Sequence, residues 1–495
     1  MNLLAALLTL FSFDDHAIPY KSNLKLTLLP LEKHPSNPVL PRGPSGSPDA
    51  YRAQFYGSVL RINGKFRMWY IAGADNRALN PVDLSFHVAY AESDDGLSWT
   101  KPRLGLTGFR GSRENNLVEI KPQLDMSRLG PLVCFVLHEP EDPDPARRYK
   151  MLLYGRYYES TVIEEIERAP NTPSTIFPLF SADGLRWRLA IPPPKGPWFV
   201  TGEVPFPVKN NFELGGLYKF DGVYHAAGQE MWPDISMPDG GRVRRTMVTH
   251  WSGDFRRWSH DRSFSFQRSG YRSPEVSLEE AHEPAGVWNR GNVLVGTYGL
   301  WHGAREVRDR RMDLGLLVSN DGIHFREPIA DFVLLKAGGD GAWDQRGLIH
   351  GQGYVNIGDR TYVYYGSWDL SGGNDGGTAV GLATMPRDRF GFLSTREPGD
   401  ALLTTMPFSA KPGSAVLLNI GGVGPEAQLE VEVISKFGAV VQRFHPVRQT
   451  GLGVKAGLLP RAGACRLRMR FTGTAASQIK LYAAYIGMGD SSQSR

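Results

Sequence analysis

The stretch "SDDGLSW", residues 93–99, lies within "AESDDGLSWTKP" (91–102). Ser, two Asp and a Gly make a tight turn, and Trp99 gives that turn something apolar to fold against. The same pattern returns as "SADGLRW" at 181–187, "SGDFRRW" at 252–258 and "SNDGIHF" at 319–325. Each copy follows a short apolar run: "HVAYAE", "IFPLF", "TMVTHW" and "LGLLV". "AVGLATMPRDRFGFL" (379–393) holds the same place in a fifth unit, with Pro-Arg-Asp in place of the turn. Two more strand-like runs precede each turn, as "YGSVLRINGKF" and "FRMWYIAG" do in the first unit. Several of these pairs join through Asn-Gly, Asp-Gly or Gly-Asp hairpin signals. Four antiparallel strands repeated five times predict a five-bladed β-propeller. A single blade cannot bury its own apolar faces, so the recurring turns and their aromatic residues are expected to pack rather than to react.

From residue 398 the texture changes. "GSAVLLNIGG", "AQLEVEVIS", "GAVVQRF", "CRLRMRFTG" and "IKLYAAYIG" alternate as strands without the turn. The expected fold is therefore all-β: a propeller with an N-terminal segment over 1–397, a β-sandwich over 398–489, and a disordered tail at 490–495.

Bulk properties narrow the function. The chain has 495 residues, too many for one ordinary core. The net charge is +5 with no long basic run, which argues against a nucleic-acid partner. Aromatic residues make up 11%, which suits strands and sugar-binding surfaces. Two cysteines, Cys134 and Cys465, exclude a disulfide scaffold and a cysteine zinc site. The start, "MNLLAALLTLFSFDDHAIPY", has no Lys or Arg before its short apolar run. It reads as the first structured element rather than an export signal, which favours a cytoplasmic location. No later run has the length of a membrane span, and nothing in the sequence predicts the oligomeric state.

"HPSNPVL", "GKFRMWY", "FELGGLYKFDGVYHAAG" and "LEVEVISKFGAVVQRF" resemble the furanosidase-like glycoside hydrolases of families 32 and 43. "LFSFDDHAI", "SDDGLSWTKPRLGL", "DPDPARRYKM", "WNRGNV" and "PRDRFGFL" are similar to uncharacterised bacterial proteins of the family 32-like kind. The resemblance implies a five-bladed propeller whose inner strands converge on a central funnel. It also implies an exo-acting glycosidase with a carbohydrate substrate. Such chemistry needs two carboxyl groups, one to protonate the leaving oxygen and one to serve as base or nucleophile.

Glu213, in "NNFELGGLYKFDG", opens a strand eight residues before Asp221 of an Asp-Gly hairpin. The family 43 general acid has that relation to its hairpin, although Gly215 stands here where the motif has Pro. The alternative is an exposed strand-end Glu. In the first unit the family places an Asp directly before the strand, but this chain has Tyr56-Gly57. Asp49 is the nearest carboxylate, with Arg52 beside it; a loop-capping Asp is the other reading. In the second unit "PLVCFV" is apolar where an auxiliary Asp would fall, and Glu141, Asp142 and Asp144 read as a solvated loop neutralised by Arg147, Arg148 and Lys150.

In the fourth unit Glu280, His282 and Glu283 precede the strand. Either acid could supply the base or lie on the surface, and His282 could bond a sugar hydroxyl or take a proton. In the fifth unit His350 and Gln352 alternate onto one face and are expected to touch the ligand, while Trp343-Asp344 could anchor the blade. Trp301 suits either a stacking wall against a sugar or core packing. No cofactor or metal is expected, though His225, His282 and His350 leave an axial metal open. Two other functions remain: a carbohydrate-binding propeller without hydrolysis, and a glycoside phosphorylase drawing on Arg52, Arg290 and His350.

Overall fold

A computed structural model describes residues 8–74, 86–120, 129–157, 174–191, 212–233, 243–268, 279–303, 309–368, 378–460 and 463–488. The expected disordered tail at 490–495 lies outside them. The chain is all-β: among the described residues there are strands and short 3-10 turns but no α-helix. Among the described residues no helix is long and apolar enough to cross a membrane.

Each of the five units forms an antiparallel sheet. The first contains Arg52–Ile62, Lys65–Gly73 and Phe86–Ser93. The second contains Leu129–His138, Tyr149–Tyr157, Ser174–Ser181 and Arg186–Leu189, edged by Glu119–Ile120. The third contains Glu213–Phe220, Val223–Pro233, Val243–Ser252 and Ser263–Phe266. The fourth contains Glu279–Asn289, Leu294–His302, Arg311–Ser319 and Val333–Leu335. The fifth contains Leu348–Ile357, Arg360–Ser367 and Val380–Pro386, and its outer edge is Glu32–Lys33. The first strands of the five sheets touch in cyclic order, and the fifth returns to the first through a parallel bridge between Gln352 and Ser58. Lys33 Nζ lies 2.6 Å from Asp344 Oδ2, and Tyr365 donates to the same oxygen at 2.9 Å. Asp344 thus fastens the closing edge.

The recurring turn joins neighbouring sheets. Ser93 Oγ accepts from Gly96 N at 2.8 Å, and Asp95 Oδ1 accepts from the N–H groups of Leu97 and Ser98 at 2.7 and 2.8 Å. Burial would raise the Asp95 carboxyl, but the backbone donors of Ser98 and Leu97 outweigh it and hold it down to about 2. Gly96 turns left-handed at φ +78, which leaves its carbonyl pointing outward. Tyr364 of the fifth sheet donates to that carbonyl at 2.7 Å. Trp69 of the first sheet donates to Gly184 O of the second, and Tyr218 of the third to Gly322 O of the fourth, both at 2.7 Å. The repeat read from the sequence is a clasp between units.

Two six-stranded sheets make the remaining body. One is ordered Leu24–Leu28, Gly391–Thr395, Lys480–Met488, Ser414–Gly421, Gly451–Leu458, with Leu8–Phe11 also on Lys480–Met488. The other is ordered Tyr20–Ser22, Ala401–Thr404, Gly463–Thr472, Gln428–Ser435, Val440–Arg443, with Phe408–Ala410 on Gly463–Thr472. Their inward residues, among them Leu418, Ile420, Leu429, Met469 and Phe471, share one core. The expected boundary at 397/398 is therefore corrected. The strands Leu8–Phe11, Tyr20–Ser22, Leu24–Leu28 and Gly391–Thr395 join the sheets of the C-terminal strands, and Leu10, Leu24 and Leu393 among them help complete that core. Lys150, named as a neutraliser of the acidic loop, is fully buried, with Nζ 2.7 Å from both Glu139 and Asp142.

Candidate functional site

All five inner strands share an irregularity. Pairing with the next strand slips between Gln54 and Ser58, at Tyr154–Gly155 opposite Pro131, between Leu214 and Gly216, between His282 and Gly286, and between His350 and Tyr354. Such bulges bend a strand and re-aim its side chains. Here they turn the strand starts toward one cavity of about 320 Å³, a size suited to a small ligand. Glycines let the backbones meet there. A Cβ on Gly215 would lie 2.0 Å from Glu283 O, and one on Gly216 would lie 1.8 Å from Ala285 O. Gly215 thus replaces the Pro of the resembling motif because the strand carrying Glu283 passes directly over it.

Two predicted carboxyls meet in this cavity, Glu213 and Glu283. Gln229 connects them. It sits opposite Glu213 in the cross-strand register, donates its amide N–H to Glu213 Oε2, and accepts from Glu283 N at 2.8 Å. Glu283 occupies the bulge with φ +41, a left-handed value that non-glycine residues seldom adopt. Burial pushes its carboxyl up to about 8, with the charge of Glu213 adding to the rise; Tyr56 and Arg245 act the other way. Tyr56, which holds the position where the family motif has Asp, faces that carboxyl across the cavity wall. Tyr56 Oη and Glu283 Oε2 are both buried without a hydrogen-bond partner among the described residues. Burial, then the Glu283 and Glu213 charges, raise the Tyr56 phenol well above its ordinary range, so it is a neutral hydroxyl.

His282 and Arg52 also line the cavity. His282 stacks on Trp301 with centroids 5.8 Å apart and meets Trp368 edge-on at 5.2 Å. Burial, then Arg245 and His350, depress its pKa, so it is uncharged at neutral pH. Arg52 donates to Gln54 Oε1 at 2.9 Å and lies over the Phe86 ring.

The other predicted residues support the site from outside its lining. Asp49 is buried, accepts from Tyr70 Oη at 2.8 Å and pairs with Lys101 Nζ at 2.6 Å; it braces the first sheet rather than facing the cavity. Glu280 lies behind Arg245, its Oε2 3.6 Å from Arg245 Nε, and burial raises its carboxyl. Trp301 is 8% exposed and packs behind His282 and Arg245. His350 Nε2 lies 2.9 Å from Gly215 O, and Gln352 bonds both the N–H and the carbonyl of Leu217. These two bond the Glu213 strand and are not in the cavity lining among the described residues. His225 stacks on Tyr218 and shares no metal site: among the described residues no group of three His, Cys, Asp or Glu could hold an ion.

Sequence reading missed Tyr56, Arg156, Gln229, Arg245 and Trp368. Counting from the hairpin would set Glu230 across from Glu213; the bulge between Leu214 and Gly216 brings Gln229 there instead. The others come together only through the ring and its bulges.

No protein-family model and no curated protein matches the chain. Several solved structures are similar to it. An N-acetylgalactosamine deacetylase from F. plautii, in complex with blood group B trisaccharide, is 14% identical over 73% of this chain and 96% of that one, with TM-score 0.48. A glycosyl hydrolase from Bacteroides ovatus is 14% identical over 73% and 95%, with TM-score 0.44. A β-1,2-mannobiose phosphorylase from Listeria innocua is 12% identical over 72% and 97%, with TM-score 0.44.

Proposed function

We propose that the chain is a glycoside hydrolase-like enzyme built on a five-bladed β-propeller with an attached β-sandwich, and that Glu283 and Glu213 are its reacting carboxyls. The cyclic contact of five inner strands supports the propeller, with Glu32–Lys33 closing the fifth blade. The shared core supports a sandwich that includes the N-terminal strands. One observation carries the function: two carboxyls from adjacent inner strands converge on one cavity, and one glutamine ties the Glu213 carboxyl to the Glu283 backbone N–H.

Their surroundings separate the roles, as paired carboxyls of a glycosidase require. Glu283 keeps its proton at neutral pH and serves as the acid for the leaving oxygen. Glu213 accepts an amide N–H from Gln229 and serves as base or nucleophile. This reverses the role the sequence resemblance implies for Glu213. The test is release of sugar from a panel of oligosaccharides and aryl glycosides. Glu283→Gln and Glu213→Gln should each lower turnover by about 10²–10⁴-fold. Unchanged turnover in either variant overturns the assignment.

A further inference from the structure

Tyr56 and Glu283 line one cavity, and each stands in a strand bulge. Tyr56 lies in the slip between Gln54 and Ser58 of the first sheet, and Glu283 in the slip between His282 and Gly286 of the fourth. We propose that Tyr56 is a positioning residue for the acid: its hydroxyl donates to the Glu283 carboxylate once Glu283 has passed its proton to the leaving oxygen. This deepens the glycosidase reading and rests on it for the reaction.

The two groups are complementary, and both are incomplete. Tyr56 Oη and Glu283 Oε2 are buried with no hydrogen-bond partner among the described residues. They are near enough for each to act on the other's protonation. An O–H donor and a carboxyl oxygen left unpaired in one wall are costly until something joins them. Ionisation of Glu283 does so, because a carboxylate accepts far more strongly than a protonated carboxyl. Tyr56 is also held for this task. It is 6% exposed, and its ring meets His350 edge-on at 5.8 Å. A Cβ on the next residue, Gly57, would lie 1.9 Å from Trp69 O, so the bulge that carries Tyr56 needs glycine there.

Other charged and titratable groups surround Glu283. Glu213 and Arg245 face it from the third sheet, one repelling its charge and one attracting it. Arg245 is shared with Glu280, 3.6 Å from its Nε, and with the Trp301 ring. His282 precedes Glu283 and is uncharged at neutral pH. Arg52 and Arg156 line the cavity from the first and second sheets. Tyr56 supplies what these groups do not, a neutral O–H buried beside the carboxyl. When the glycosidic bond breaks, its electron pair stays on the leaving oxygen, which takes the Glu283 proton. Tyr56 keeps its own proton throughout. A phenol held neutral by two nearby carboxyls suits that role and not that of a nucleophile.

Titration forms the same carboxylate without substrate, so the test does not depend on turnover. Infrared spectra of the full chain are recorded from about pH 5 to about pH 10. The protonated-carboxyl band of Glu283 is assigned by its loss in Glu283→Gln. In Tyr56→Phe the midpoint of that band should rise by about one pH unit, since a donor to the carboxylate is gone. With 3-fluorotyrosine at position 56, a stronger donor on the same ring, the midpoint should fall; this variant decides the matter where Tyr56→Phe does not fold. A merely structural Tyr56 would change the melting temperature and leave both midpoints in place, and that result overturns the proposal. A sugar adduct on Tyr56, sought by mass spectrometry, also overturns it. Sugar release is followed in the same samples. In Tyr56→Phe kcat should fall about tenfold with KM within about twofold of the parent; an unchanged kcat overturns the role. Shifted midpoints without release by the parent keep the Tyr56–Glu283 pairing and remove the hydrolase reading. Release by the parent with unmoved midpoints does the reverse.

Discussion

The imidazole of His350 reaches from the fifth sheet to the third, placing Nε2 2.9 Å from the carbonyl oxygen of Gly215. Burial depresses the His350 pKa to about 4, against the opposing pull of that carbonyl, so the ring is neutral and donates through Nε2. Gly215 is two residues from Glu213 and lies under the Glu283 backbone, so the contact holds both carboxyls. His350→Ala should cost about 1–3 kcal/mol in denaturant melts, because it leaves a buried carbonyl unpaired. It should lower kcat more than it raises KM, and His350→Gln should recover part of both.

The pH profile tests the roles of the pair. An acid with its pKa near 8 is active below that value, so turnover should fall as pH rises through about 8. Glu213→Asn keeps a polar group but removes the charge that helps raise Glu283. In its residual activity the falling limb should move to lower pH. A limb that stays in place means Glu283 does not supply the proton.

Stability should follow the same group. A carboxyl whose pKa is raised on folding binds its proton more tightly folded than unfolded. Its contribution is full below the ordinary pKa of 4.5 and is lost as pH climbs toward 8. Glu283→Gln should therefore melt above the parent at pH 8–9, with the difference shrinking toward pH 5, as read by calorimetry.

Gly215→Ala isolates the close approach of the strands. The new Cβ would need space occupied by the Glu283 carbonyl. Turnover should fall by at least about tenfold, since small displacements of a reacting group are costly. Gly222→Ala is the stability control: its φ of +82 is strained for Ala, but no atom lies within 4 Å of the added Cβ. It should lower the melting temperature and spare turnover.

Asp49→Asn separates bracing from chemistry. Losing the charge between Tyr70 and Lys101 should destabilise the chain by about 1.5–3 kcal/mol. The kcat of the folded variant should stay within about twofold of the parent. A loss of several orders of magnitude would restore Asp49 as a reacting group.

Much of the strand pattern was legible because it rests on local chemistry. The Ser-Asp-Gly turns, the hairpin dipeptides and the alternating apolar runs each act within a few residues, and the strands follow them. Glu213 and Glu283 were legible as carboxyls at strand starts. What stayed hidden depends on residues far apart in sequence. Asp49 could not be told from a funnel residue without Tyr70 and Lys101 in view. Gln352 looked ligand-facing by alternation, but the curvature of the ring points it at the Leu217 backbone. The bulges, which decide which side chains enter the cavity, leave only a trace in sequence, as glycines such as Gly215 and Gly216.

The edge strand Glu32–Lys33 bears on how the protein is made. On the ribosome this segment emerges long before its partner Val380–Pro386. Leu8–Phe11 waits longer still, for Lys480–Met488. A nascent chain therefore carries unmatched sheet edges until those partners are made, and neither body can shut before them. Premature termination before Val380 should yield an open, sticky array of units.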